Sequence, residues 1–248
     1  MIIIKSPEEI KIMRESCKMT AQLCALLKEQ IKPGVTTLAL DDFADNWIKK
    51  QNAKAAFLGY HGYPKSICAS VNEEVVHGIP GNRKLVEGDI IGIDVGVVYK
   101  GFIGDMAFTA GVGQISPEAQ KLLTVTEQSL YAGIDQARVF KRLSDISHAV
   151  QEHAEKNGFS VVQQYVGHGI GRNMHEDPQV PNYGAPGCGP ALKTGMTLAI
   201  EPMVNAGTYE VETKVDGWTV VTKDHRLSAH FEHTIAITDD EPEILTKI

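Results

Sequence analysis

Residues Gly88 to Thr109, GDIIGIDVGVVYKGFIGDMAFT, read as a β-hairpin with an acid in the middle of each arm. Ile90, Ile91, Ile93, Val95, Val97 and Val98 are strand formers, Lys100-Gly101 supplies a turn, and Phe102, Ile103 and Phe108 lie on the return strand. With a two-residue loop, facing positions sum to an odd number and share a face of the sheet. Asp94 and Asp105 therefore stand on one face, either opposite each other or one diagonal step apart. Two ionised acids side by side in an apolar setting repel and lose hydration, at a cost of several kcal/mol unless a cation lies between them. One metal ion, or a pair, would supply that cation. A surface hairpin with a solvated acidic face would account for the same residues.

The bulk properties narrow the field. The 248 residues are 43% hydrophobic and 22% charged, as in an ordinary soluble globular protein long enough for a large core. A net charge of −7 and a pI near 5.7 argue against nucleic acid or an anionic membrane as the main partner. The opening MIIIKSPEEI turns polar after four residues, so no secretory signal is expected, and no apolar run approaches the ~20 residues of a membrane span. Cys17, Cys24, Cys68 and Cys188 form no C-x-x-C pair. Four scattered cysteines fit a reducing cytoplasm better than a disulfide framework.

Ser6-Pro7-Glu8-Glu9 is a helix start, and Ile10, Met13, Cys17, Ala21, Cys24 and Leu27 keep helical spacing until Lys32-Pro33-Gly34. A second helix spans Leu38 to Gln51, and strands and loops follow to Val76. After the hairpin the outline starts again. Ser116-Pro117-Glu118 opens a helix through Leu122, Val125, Leu130 and Ile134, another runs from Leu143 to Lys156, and strands follow at Val161, Met196–Ile200, Trp218–Thr222 and Phe231–Ile237. The expectation is a duplicated α+β unit: one domain over 1–248, with pseudo-repeat halves of about 1–112 and 113–248.

The second half carries three more polar positions in apolar or glycine-rich surroundings. They are His168 in Gly167-His168-Gly169-Ile170-Gly171, Glu201 ending MTLAI, and Glu232 opening the strand Phe231–Ile237. Each alone has an ordinary explanation as a loop histidine or a solvated strand-end acid. Together with Asp94 and Asp105 they make four carboxylates and one imidazole, a hard ligand set that suits Mn, Fe, Co or Zn bound as a pair. Two such ions ~3.5–4 Å apart share bridging carboxylates and a water or hydroxide that is nucleophilic at neutral pH, which is hydrolytic chemistry.

The segments SVNEEVVHGIP (Ser70 to Pro80), Gly92 to Asp105, GHGIGRNMHE, GMTLAIEPMV and EHTIAIT resemble the methionine aminopeptidases of the bacterial kind (type I) over nearly the whole chain. The resemblance implies the pita-bread fold, an α+β architecture with two pseudo-symmetric helix-helix-strand halves around a curved mixed or antiparallel sheet. It implies metal-dependent removal of the N-terminal methionine from nascent polypeptides whose second residue is small, by a hydroxide bridging two divalent ions. Asp94 would hold one ion, Asp105 and Glu232 would bridge both, and His168 and Glu201 would complete the other. His77 would contact the scissile peptide, His175 would stabilise the carbonyl oxygen, and Glu201 would also carry the proton from water to the leaving amine. Tyr60, Tyr63, Cys68, Met174 and Trp218 would form the methionine pocket, with His77 at its rim.

Three positions depart from the commonest family pattern. Met174 stands where Phe is usual, Phe57 where some members have Cys, and His230 where Gln is common, either beside the ligands or exposed. His61, His148, His153, His225 and His233 are read as structural or surface residues. The resemblance further implies a cytoplasmic monomer that works transiently near the ribosome, with no membrane and no specific nucleic acid as partner. The competing readings are an Xaa-Pro aminopeptidase or prolidase of the same fold, and a non-catalytic binding protein. The first is disfavoured because such chains carry a large extra N-terminal domain, whereas a helix here opens at Pro7. The second is disfavoured because such proteins lose the ligands and tend to be basic.

Overall fold

A computed structural model describes residues 1–248. The hairpin is its centre. Strands Ile90–Tyr99 and Phe102–Gly111 pair antiparallel over their full length, with Lys100 (φ 49°) and Gly101 (φ 80°) both left-handed, as a two-residue type I′ turn requires. Asp94 faces Ala107 and Gly96 faces Asp105, so the two acids are one diagonal step apart on a shared face. Cys68–Val71 and Lys54–Ala55 pair along the free edge of the first arm.

Helix α1 (Pro7–Gln30) starts at a capping box in which Ser6 and Glu9 satisfy each other's backbone N–H groups. It rides on the opposite face of the hairpin at Gly104, where an added Cβ would lie 2.6 Å from backbone atoms of Cys17. The Thr20 hydroxyl fastens the contact by donating to Gly104 O. Helices α2 (Thr37–Lys50), α3 (Pro117–Ile134) and α4 (Leu143–Lys156) fall within a residue or two of the expected spans.

The second half contributes a five-stranded sheet, ordered Glu243–Ile244, His233–Ala236, Thr197–Ile200, Gly167–Gly169, Glu176–Val180. It joins the hairpin through Thr234, whose hydroxyl donates to Asp105 O and accepts from Asp105 N, and through Glu232 N–H donating to Ala107 O. Of the two sheet types expected, every ladder is antiparallel, because no strand is followed by a helical crossover to a parallel neighbour. The strands form four sheets, and bulges at Val220/Val221 and His168/Gly169 bend two of them.

A core of 44 buried residues fills the space between helices and strands. A separate group that includes Met13, Phe57, Tyr63, Cys68, Phe102, Ile170 and Met174 continues from α1 to the wall of the cleft, so that wall is part of a packed interior.

Candidate active site

Five side chains from both halves meet at the end of the cleft. Asp94 and Asp105 come from the hairpin and His168 from the short strand Gly167–Gly169. Glu201 directly follows Thr197–Ile200, and Glu232 directly precedes His233–Ala236. Because His233 pairs with Ile200, the two glutamates lie next to each other across the ladder. Donor atoms of Asp105, His168 and Glu232 lie within 4.8 Å of one another, and His168 Nε2 is 3.4 Å from Glu201 Oε1 and 3.9 Å from Asp105 Oδ2. The other ring nitrogen, Nδ1, donates to Gly169 O at 2.9 Å, which leaves Nε2 as the free donor atom of the ring.

The electrostatics demand a cation. Asp94 Oδ1, Asp105 Oδ1 and Glu232 Oε1 are buried without a hydrogen-bond partner, and only histidines come within ion-pair distance of these acids. Burial pushes the Asp94 carboxyl up to about 7. Burial and then the neighbouring carboxylates push Asp105, Glu201 and Glu232 well above the usual range. Burial, followed by the charge of His175, brings His168 down to about 3, so its nitrogen is neutral and available. Orphaned carboxylate oxygens, a neutral imidazole and no lysine or arginine are what a pair of divalent ions would complete.

Beside the cluster lies a cavity of about 190 Å³ lined by Phe57, Tyr60, His61, Tyr63, Cys68, His77, Met174, His175 and Trp218 together with the five acid and imidazole residues. The Tyr63 hydroxyl donates to Gly78 O at 2.9 Å and Ile67 O at 3.2 Å, and its ring meets Trp218 edge-on at 5.1 Å. His77 holds a left-handed backbone (φ 59°), and its ring packs edge-on against Tyr165 at 5.6 Å. Burial lowers His77 to about 4. His175 lies edge-on to His168, ring centroids 4.4 Å apart.

Residues 11–239 match the profile of Metallopeptidase family M24. The chain belongs to this family. Over 248 residues it is 56% identical to "Methionine aminopeptidase 1" of Bacillus subtilis and 54% identical to "Methionine aminopeptidase" of Clostridium perfringens, covering both chains completely in each case. The crystal structure of methionine aminopeptidase from Thermotoga maritima superposes with a TM-score of 0.98 at 48% identity, each chain fully covered. Prolidase from Pyrococcus furiosus shares the fold alone, with a TM-score of 0.80 at 20% identity, 99% of this chain and 66% of that one being covered. The architecture is the pita-bread arrangement of the M24 family.

Every residue expected from the sequence to bind metal, act on the peptide or form the methionine pocket lies at the cluster or on the cavity wall. His230 is buried rather than exposed: its unpartnered Nε2 lies 3.8 Å from Glu201 Oε2. His233 is structural, with Nδ1 2.9 Å from the Thr246 hydroxyl.

Three residues were misplaced or missed by the sequence reading. His61, expected to be structural or at the surface, lines the cavity from a left-handed position (φ 48°) that no local pattern announces. Lys5 and Glu176 form a buried ion pair at 2.5 Å beside His175. Glu176 Oε1 also accepts from Arg172 N and Asn173 N, which ties down the turn that carries the histidine. A lysine amid the apolar opening IIIK and an acid directly after His175 were the available signals, but the pairing spans 171 residues.

Proposed function

We propose that this chain is a methionyl aminopeptidase, a dinuclear metallohydrolase that removes the N-terminal methionine of nascent polypeptides when the second residue is small. The observation that carries the reading is the adjacency of a cation-starved carboxylate cluster to a cavity walled by Tyr63, Cys68, Met174 and Trp218. Aromatic and sulfur surface suits a flexible, polarisable thioether. Full-length identity of 47–56% to proteins named methionine aminopeptidase supports it further.

Asp94, Asp105, His168, Glu201 and Glu232 would hold two divalent ions, and Mn, Fe, Co and Zn all accept this donor set. When bound, such ions supply Lewis acidity and lower the pKa of water enough to provide a nucleophile near neutral pH. The protein's own groups do the rest. The substrate's free amine would be received beside Asp94, which would restrict cleavage to the first peptide bond. His77, neutral over the working range, orients the scissile peptide, and His175 donates to the carbonyl oxygen as negative charge develops there. Glu201, the acid whose proton affinity burial raises, takes a proton at its carboxylate and returns it to the departing amine. Treatment of residues 1–248 as one catalytic unit rests on a site that draws Asp94 and Asp105 from the first half and His168, Glu201 and Glu232 from the second. The same proposal has the protein act as a monomer in the cytoplasm, transiently near the ribosome. Its three buried cysteines and exposed Cys188, all free, fit that setting, and no helix is long and apolar enough to cross a membrane.

The test is a peptide panel of Met-Ala-Ser, Met-Leu-Ser, Ala-Ala-Ser and Ala-Pro-Ser with Mn, Co or Fe added to metal-free protein. Release of methionine from the first peptide alone is expected. Preferential cleavage of the proline peptide would overturn the assignment in favour of a prolidase-type activity.

A further inference from the structure

The turn Gly59–Tyr63 sends its two phenols to two different histidine segments. Tyr63 donates to Gly78 O, one residue past His77. Tyr60 does not face a thioether site with its hydroxyl. Its oxygen lies 2.7 Å from Nδ1 of His175, the one hydrogen bond either side chain makes, with ring centroids 5.4 Å apart. The backbone holds that phenol in place: Gly59 and Gly62 take left-handed angles (φ 84° and 89°), Tyr60 N–H donates to Phe57 O, and Gly59 N–H donates to Tyr63 O. From the other side the buried Lys5–Glu176 pair fixes the turn that carries His175.

In a neutral imidazole one nitrogen carries hydrogen and the other accepts, and the hydrogen bond made by one nitrogen decides which. A phenol is a better donor than acceptor, and an unprotonated imidazole nitrogen is a better acceptor than a phenol oxygen. Nδ1 of His175 is the one protein acceptor within reach of the Tyr60 hydroxyl. Nδ1 therefore accepts, and the ring's only hydrogen sits on Nε2.

We infer that Tyr60 is a positioning residue whose hydroxyl, by donating to Nδ1 of His175, fixes the Nε2–H tautomer and so gives His175 a donor to present to the carbonyl oxygen of the substrate. The inference rests on the reading of His175 given above and moves Tyr60 from the wall of the methionine pocket to the machinery that polarises the peptide. The wrong tautomer would turn a lone pair, instead of an N–H, toward developing negative charge.

The experiment compares wild type with Tyr60→Phe, which keeps the ring and removes one oxygen. Long-range ¹H–¹⁵N spectra of histidine-labelled, metal-free protein at pH 8 read the tautomer, with His175→Ala identifying the resonance. A single Nε2–H form in wild type that becomes a mixture in Tyr60→Phe is expected. An Nδ1–H form in wild type, or a tautomer unchanged in the variant, overturns the inference. On the metal-loaded enzyme, kcat for Met-Ala-Ser should fall about tenfold at nearly constant KM, a fraction of the roughly 10²- to 10³-fold cost of deleting an oxyanion donor. A raised KM with unchanged kcat would return Tyr60 to the pocket wall. Failure of wild type to release methionine would sink the proposed function instead, and the spectra would still decide the hydrogen bond.

Discussion

At the scale of single residues, the proposed function assigns ion binding and handling of the peptide to different groups of the site. His77 lines the cavity, but its ring packs edge-on against Tyr165 and Trp218, and only His168 and His230 come within ion-pair distance of the clustered carboxylates. His77→Ala should therefore leave the metal content per chain unchanged and lower kcat/KM by roughly 10²- to 10⁴-fold, the range of positioned acid–base or polar catalysis. Elemental analysis beside a peptide assay checks this, and an unchanged rate would remove His77 from the mechanism. The hairpin acids could be read from sequence because a strand has a period of two: eleven residues and a two-residue loop leave no freedom over which face they share. Glu201 and Glu232 were visible as strand-end acids, but their adjacency depends on the pairing of His233 with Ile200, which no local pattern encodes. His61 was read as structural or at the surface because its exposure to the cavity follows from a left-handed turn angle.

At the scale of elements, the hairpin works through both faces, and a glycine on each face shows what touches it. On the helix side, Gly104 lets α1 approach so closely that a methyl group would meet Cys17 backbone at 2.6 Å. Backbone cannot rotate aside, so Gly104→Ala should destabilise by about 1–3 kcal/mol or more. Denaturant titration would show it, and an unchanged midpoint would mean that the helix–sheet spacing is slack. On the cleft side, a Cβ on Gly96 would meet Ala56 at 2.8 Å and the tips of Met174 and Phe57 at 3.0 Å. The Met174 and Phe57 tips can yield into the cavity but the Ala56 Cβ cannot, so Gly96→Ala should raise KM for methionyl peptides as well as lower stability. The turn carrying His175 depends on Lys5–Glu176, whose side chains are each 3% exposed. Lys5→Met strands a buried carboxylate and should cost about 3–5 kcal/mol, read as a fall in melting temperature of the metal-loaded protein. A loss below about 1 kcal/mol would show that the two backbone N–H donors suffice for Glu176. The helices were legible down to their caps because Ser-Pro-Glu starts and a Pro-Gly or Asn-Gly stop are local chemistry. The Lys5–Glu176 contact was not, because it closes a loop of 171 residues.

At the scale of the molecule, the site sets stability against function, and pH exposes the conflict. In metal-free protein Asp94 titrates at about 7 instead of 3.8, and Asp105, Glu201 and Glu232 shift in the same direction. Above their ordinary pKa values the native state keeps protons that the unfolded chain has released, so stability falls as pH rises, by about 1.4 kcal/mol per pH unit for each proton retained. The buried histidines, lowered to between about 3 and 4 in His77, His168, His230 and His233, act in the opposite sense, most strongly as pH falls through 6.5. Between pH 6.5 and 8 that opposing effect fades while Asp105, Glu201 and Glu232 keep their protons, so the carboxylates outweigh the histidines. Metal-free protein should melt lower at pH 8 than at pH 6.5. Bound divalent ions hold the same acids ionised, remove that proton linkage, and add RT ln(1 + [M]/Kd), about 2.7 kcal/mol at a hundredfold excess over Kd. The rise in melting temperature on adding Mn²⁺ should accordingly be larger at pH 8 than at pH 6.5, with protons released on binding in weakly buffered solution. An increment that shrinks with pH, or binding without proton release, would mean that the four acids are not the ligands, because ions that displace protons from acids shifted this far must release them and must gain in effect as pH rises.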